Sequence, residues 1–277
     1  MRKIATTTIA TTLDDMSYQL DHVTVSRSGT IVLQDLCLNL PRGRMTGVIG
    51  PNGAGKSTLL AALAGDIALD QGRLLLDGQS LVSGLPIQRA RQRAMLSQQA
   101  EAIFNLTVGQ TLGLGLYAFS HWSGHDRTVL IEEVSRTTDI AAWLDRPMTA
   151  LSVGQQQRVH FGRAVLQAMA GLKDQGVAWL LLDEPTASQD PLQQQLMLSV
   201  CRNCLEKGPI GILLVMHDLT LAAQWCDDII ILKDRTVLAH GQISDVLTPN
   251  LLGDVYGNQL SVQVIREPAP GVIMSLR

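Results

Sequence analysis

No apolar run in this 277-residue sequence reaches the length of a membrane span. The longest aliphatic stretches, such as Val177-Ala178-Trp179-Leu180-Leu181-Leu182, are strand-sized, whereas a helical span needs about 20 apolar residues. The chain is therefore expected not to cross a bilayer by itself. Positive charge is not in excess either: 22 Lys and Arg stand against 25 Asp and Glu, so no global basic field argues for nucleic acid or an anionic lipid surface. Arg2 and Lys3 are followed by a Thr-rich stretch to Thr12 that lacks the continuous apolar segment of a secretory signal, and residues 1–15 are expected to be a flexible cytosolic tail. The four cysteines, at 37, 201, 204 and 226, show no disulfide framework. Cys201-x-x-Cys204 falls in an expected helix, without a second Cys/His pair at zinc spacing, and reads as packing. No internal repeat or sustained heptad pattern is present, and the threonine-rich tail is the one low-complexity stretch.

What is present is a 46% apolar composition, which excludes disorder, and a length suited to one large α/β domain with a small subdomain. Its most specific stretch is Gly50-Pro51-Asn52-Gly53-Ala54-Gly55-Lys56-Ser57-Thr58, which satisfies G-x-x-x-x-G-K-[S/T] in full. Met45-Thr46-Gly47-Val48-Ile49 before it reads as a buried strand, and Leu59-Leu60-Ala61-Ala62-Leu63-Ala64 after it as the first turns of an apolar helix. The glycines let successive backbone N–H groups converge on phosphate oxygens at the positive end of that helix. Lys56 is then the group that reaches β- and γ-phosphates, and the Ser57 hydroxyl the one that holds Mg²⁺.

Residues 18–40 alternate apolar and polar around a Ser26-Arg27-Ser28-Gly29 turn, an antiparallel hairpin pattern, and residues 72–81 form a second β-rich piece turning at Asp77-Gly78. Between about 89 and 150 the texture becomes helical, with one amphipathic stretch over 129–144, so this block reads as an inserted helical subdomain. Buried strands follow at 178–182, 211–216 and 229–232, with helices expected over 191–205 and 219–225. Alternating elements of these lengths imply a mainly parallel sheet covered on both faces. The carboxylates Asp183 and Glu184 end one of these strands, where ligands of parallel sheets sit. Asp183 suits a Mg²⁺ ligand, and Glu184 a general base or water-orienting group. His217 ends the neighbouring strand and can bond a γ-phosphate. Arg89, Arg91 and Arg93 read as a solvated basic face.

Leu151-Ser152-Val153-Gly154-Gln155-Gln156-Gln157-Arg158, ahead of an expected helix, resembles the signature motif of ATP-binding-cassette ATPases. With the phosphate loop, Gln98 after Ala94-Met95-Leu96-Ser97, Leu180 to Glu184, Ala187-Ser188-Gln189-Asp190 and His217-Asp218, the family's motifs stand in order over nearly the whole chain. The resemblance implies an α/β P-loop NTPase fold: a RecA-like core with an antiparallel β-subdomain and an inserted α-helical subdomain at about 90–155, in one ATPase domain over 16–257. It implies ATP hydrolysis with Mg²⁺, with Gln98 contacting nucleotide and metal and with Gln155 and Asp190 in the nucleotide site. It also implies a head-to-tail homodimer, in which Ser152 and Gly154 of one subunit close on the γ-phosphate held by the other. Two departures stand out. Val153 occupies a position usually held by glycine, and the usual adenine-stacking aromatic has no counterpart in Val25-Ser26-Arg27, with Tyr18 too early and Arg27 the available cover.

A single cassette without membrane helices or a long coiled coil matches the free-standing ATPases of importers. Residues 244–257 resemble the tail of ATPases serving iron-chelate, haem and cobalamin importers, and 258–277 read as a C-terminal extension whose strands 260–265 and 271–276 pair across Pro268-Ala269-Pro270. A polar loop at 171–176 is similar to the haem and cobalamin branches. The resemblance implies an ATPase of haem import, with cobalamin or ferric-siderophore import as the alternative cargo and a soluble Fe–S assembly ATPase as the alternative class. Its implied partners are two copies of a transmembrane permease and, indirectly, a periplasmic substrate-binding protein. Its implied location is peripheral, on the cytoplasmic face of the inner membrane.

Overall fold

The computed structural model describes residues 18–81, 85–97, 106–187, 189–257, 260–265 and 271–276; the N-terminal tail, Gln98, Ser188 and the expected turn at Pro268–Pro270 lie outside them. In chain order, β1 (Tyr18–Arg27), β2 (Thr30–Leu40) and β3 (Met45–Ile49) lead into helix α1 (Lys56–Leu63). β4 (Gln71–Leu76), β5 (Gln79–Ser80), α2 (Pro86–Gln92) and β6 (Arg93–Leu96) follow. The helical block holds α3 (Val108–Leu114), α4 (Gly124–Thr137) and α5 (Val153–Gln175). The second half alternates β7 (Ala178–Leu182), α6 (Pro191–Lys207), β8 (Ile210–Val215), α7 (Leu219–Trp225), β9 (Asp228–Lys233) and β10 (Thr236–Gln242). It closes with α8 (Ile243–Val246), α9 (Pro249–Tyr256), β11 (Leu260–Ile265) and β12 (Gly271–Leu276).

The central sheet runs β10-β9-β3-β8-β7-β6, parallel throughout except for the antiparallel β9/β10 edge. Its inner strands β9, β3, β8 and β7 are buried at successive positions because both faces are covered, and the period of two divides their side chains between two cores. Leu180, Leu182, Ile212, Leu214, Ile229 and Ile231 face one core with α3, α5 and α6. Trp179, Leu181, Leu213, Val215, Ile230 and Leu232 face the other, against α1 and the antiparallel sheet β2-β1-β4-β5. Tyr18 belongs to this second core: it is fully buried, its ring centroid is 4.8 Å from that of Trp179, and its hydroxyl donates to the Leu63 carbonyl at 2.8 Å. That burial removes Tyr18 as a cover for a nucleotide base.

Three expectations are corrected. The stretch 129–144 is not one helix: α4 ends at Thr137, and Ala141–Trp143 is a separate 3₁₀ turn. Asp139 takes the left-handed conformation (φ 55°), Ile140 N–H bonds the Ser135 carbonyl at 2.9 Å, and Asp139 N–H bonds the Arg136 carbonyl at 3.2 Å. This is a Schellman termination with Asp where glycine is usual. The polar segment 171–176 is not a loop; α5 runs through it to Gln175 and stops at left-handed Gly176. Gly171 is glycine because a Cβ there would lie 2.4 Å from the Arg91 carbonyl oxygen, where α5 passes the end of α2. The arginines are not a solvated face: Arg91 donates to the Ala118 carbonyl at 2.9 Å, Arg93 pairs with Asp66 at 3.0 Å with its side chain 13% exposed, and Arg89 is half-buried. The expected C-terminal hairpin is present in full register, β11 against β12. Thr220 on α7 both donates to the Val272 carbonyl and accepts from the Val272 N–H.

Candidate active site

The strand order brings the chemistry to one rim. β3, β8 and β7 are adjacent and parallel, so the segments leaving their carboxyl ends, Gly50–Gly55, His217 and Asp183-Glu184, emerge side by side. Gly50, Gly53 and Gly55 all have positive φ, at 149°, 80° and 100°. A Cβ on Gly50 would lie 2.2 Å from the Leu232 carbonyl oxygen, and one on Gly55 would strike Leu33 Cδ2 at 2.6 Å. β2 thus passes directly over the loop, and exposed Arg27 stands near the tip of the same hairpin. Gly55 caps α1 without a side-chain hydrogen bond, so the N–H groups of the first turn stay available to an anion.

Lys56 is buried and bridges the loop, its Nζ donating to the carbonyls of Gly50 at 2.9 Å and Pro51 at 3.1 Å. Desolvation lowers its pKa, against the pull of Glu184 and Asp183. The Ser57 hydroxyl donates to Asp183 Oδ1 at 3.1 Å. Burial pushes the Asp183 carboxyl up, and the Ser57 hydrogen bond opposes that rise. Glu184 has left-handed backbone (φ 51°), and its Oε1 lies 2.6 Å from Nε2 of His217. A left-handed non-glycine residue at a strand end is strained, and such strain is retained where surrounding structure enforces a geometry. A hydroxyl and a carboxylate, both hard oxygen donors, at the foot of an anion-binding loop fit a Mg²⁺ site.

The signature stretch lies on another element. Ser152 caps α5, accepting from the Gln155 N–H at 3.3 Å while Gln155 Oε1 accepts from the Ser152 N–H at 2.9 Å, so Gln155's side chain is engaged in a capping box. Val153 is 76% exposed. Gln189 donates to the Gly154 carbonyl at 3.3 Å and to Gln157 Oε1 at 2.9 Å, tying the signature to the segment after β7. Asp190 caps α6 by accepting from the Gln193 N–H at 3.0 Å. These bonds hold Ser152 and Gly154 at the N-terminus of α5 and Asp190 at that of α6, elements other than α1, which carries Lys56.

The ABC transporter family profile matches residues 33–187, from the strand over the phosphate loop to the segment beyond Glu184. The chain belongs to the ABC transporter family. It is 36% identical over 262 residues to the hemin import ATP-binding protein HmuV of Bordetella pertussis, covering 94% of this chain and 99% of that one. With the HmuV of Rhodococcus jostii it shares 37% identity over 265 residues, 94% of this chain and 86% of the relative. A solved structure described as the ATP binding subunit of an ABC transporter superposes with a TM-score of 0.75 at 26% identity, covering 87% of this chain and 98% of that one. The protein is thus an ABC transporter ATPase with the P-loop NTPase fold. Among the described residues of this ABC ATPase, no helix is long and apolar enough to cross a membrane.

Two contacts at the rim have no local signature in the sequence. Tyr256, half-buried on α9, hydrogen-bonds the Gly50 backbone, so the C-terminal helix of the ABC ATPase touches the first residue of the phosphate loop. Gln189 likewise joins elements separated by 35 positions. Neither follows from a residue pattern; both need the closed fold.

Proposed function

We propose that this chain is the ATP-hydrolysing subunit of a haem importer, bound peripherally at the cytoplasmic face of the inner membrane by two permease copies. The observation that carries the reaction is the convergence of Lys56, Ser57, Asp183, Glu184 and His217 on one rim of the parallel sheet. The cargo rests on near full-length similarity to the hemin import ATP-binding proteins. In this reading the backbone of Gly50 to Thr58 cradles the α- and β-phosphates, and the Lys56 ammonium turns from the loop carbonyls to the β- and γ-phosphates. Glu184 orients the attacking water and takes its proton, while His217 holds Glu184 and the γ-phosphate in register. Ser57 and Asp183, with Gln98, hold Mg²⁺, which when bound neutralises charge on the β- and γ-phosphates.

The place of the signature at the N-terminus of α5, on a different element from the phosphate loop and α1, is consistent with a head-to-tail homodimer. Ser152 and Gly154 of one copy, at the N-terminus of the 23-residue helix α5, close on the γ-phosphate in the other, with Gln155 and Asp190 bordering the shared site. ATP then favours the closed pair, hydrolysis opens it, and the permeases convert that motion into transport of cargo delivered by a periplasmic binding protein. The test is growth of a strain lacking this chain with haem as sole iron source, against inorganic iron, complemented by wild type or Glu184→Gln. A defect confined to haem and rescued only by wild type is expected. Normal growth on haem would transfer the cargo to cobalamin or a ferric siderophore. Retention in the soluble fraction with a co-expressed permease would favour an Fe–S assembly ATPase.

A further inference from the structure

The antiparallel sheet carries a distortion that the nucleotide site does not use. Leu20 pairs with Leu38 and Val23 with Leu36, so Asp21 and His22 together oppose the single residue Cys37. This is a β-bulge on β1, and His22 takes the left-handed conformation (φ 52°) within it. A second irregularity follows on β2, where Asp35 is also left-handed (φ 54°) and its N–H bonds Thr24 Oγ1 at 3.1 Å. On the other side β4 gives way as well: left-handed Gly72 lies where a Cβ would be 2.3 Å from the His22 carbonyl oxygen. The three strands together turn His22 and Asp35 towards each other, with Nδ1 of His22 2.6 Å from Asp35 Oδ1.

The consequence is a set of donor atoms. With Nδ1 engaged by Asp35, the imidazole presents Nε2, which lies 3.9 Å from Asp21 Oδ1. Arg73 takes the other oxygen of that carboxylate, Oδ2, at 2.6 Å and leaves Oδ1 towards the imidazole. The His22 N–H points at Cys37 Sγ at 3.4 Å, which fixes the sulfur beside the bulge. One ligand atom each from Asp21, His22 and Cys37 lies within 4.8 Å of the others. Tetrahedral zinc bond lengths put donors about 3.5 Å apart, a closure within reach of small rotations of exposed side chains. An imidazole whose second nitrogen is held by a carboxylate is the usual support of a metal-ligating histidine. A sulfur, nitrogen and oxygen set excludes Mg²⁺ and Ca²⁺ and suits a borderline divalent ion with water as fourth ligand.

We propose that Asp21, His22 and Cys37, with Asp35 as the orienting residue, bind one Zn²⁺-class divalent ion across the β1–β2 bulge, separate from the nucleotide site. Co²⁺ is the probe, titrated into the full-length chain with excess Mg²⁺ present. A single equivalent should bind with a thiolate-to-cobalt charge-transfer band and be displaced by Zn²⁺. Cys37→Ser should abolish the band, His22→Ala should abolish saturable binding, and Asp35→Asn should keep the band at saturation while weakening binding about 10- to 100-fold. ATP turnover of Cys37→Ser with Mg²⁺ but without added Co²⁺ or Zn²⁺ should equal wild type, which controls for folding. A wild-type titration without the band, or a band that survives Cys37→Ser, would overturn the proposal.

Discussion

Nε2 of His217, at the end of β8, lies 2.6 Å from Oε1 of Glu184, at the end of β7, and the pair bridges neighbouring strands of the parallel sheet. Glu184 is the more enclosed partner, with its side chain 15% exposed against 47% for His217. The carboxylate is thus aimed by the imidazole and by its own left-handed backbone. Glu184→Gln keeps the shape and removes the base, so ATP turnover should fall about 10²- to 10⁴-fold with nucleotide affinity retained. His217→Ala should slow turnover too, and the double variant should be scarcely slower than Glu184→Gln, because the two residues act as one unit. Single-turnover hydrolysis with equilibrium nucleotide binding checks both statements; additive losses would separate the residues.

Lys56 is buried with its ammonium on the Gly50 and Pro51 carbonyls, the one cation set inside the loop among the described residues. Lys56→Ala should abolish nucleotide binding or hydrolysis while leaving the thermal unfolding midpoint without nucleotide nearly unchanged. A fully active variant would remove the phosphate-loop reading.

The parts legible in the sequence were those fixed by short-range pattern. The phosphate loop, β7 with its two acids, and β8 with His217 stand out because fully buried parallel strands are continuously apolar and their ends carry polar groups. The parts that were not legible depend on contacts between distant segments. Gly171 resembles a loop residue until the Arg91 carbonyl is seen against it, and Asp139 ends α4 with no glycine to announce the stop. Arg91 and Arg93 resemble solvated charge because their partners, Ala118 and Asp66, lie 27 positions away. Alternation along β1 and β2 likewise hides the bulge that turns His22 onto Asp35.

Gly211 of β8 lies flat against the Trp179 ring, where an added Cβ would meet ring carbons at 2.6 Å. Trp179 cannot retreat, since it is 1% exposed and packs on buried Tyr18. Gly211→Ala should therefore destabilise the fold by about 1–3 kcal/mol through overpacking. A lowered urea midpoint at unchanged slope, with altered tryptophan emission, would register it; wild-type stability would show that the ring has room.

The thiols divide sharply by environment. Cys201, Cys204 and Cys226 are buried, whereas Cys37 is exposed. Burial pushes the Cys204 and Cys226 thiols up to about 12 and raises Cys201 well above its ordinary value. A thiol at about 12 is roughly one part in ten thousand thiolate at pH 8, and the thiolate is the reactive form. In the native protein a thiol-specific disulfide reagent at pH 8 should therefore titrate one group, Cys37, and after denaturation four. The sign of the pH dependence follows from the same cause: raising pH increases the thiolate of the buried groups about tenfold per unit below 12, yet access through the packed core still limits them. Cys37→Ser should leave the native protein without a fast-reacting thiol. Rapid reaction of a second thiol in the native state would mean that α6, which carries Cys201 and Cys204, or the end of α7 at Cys226 opens more readily than its packing against the central sheet allows.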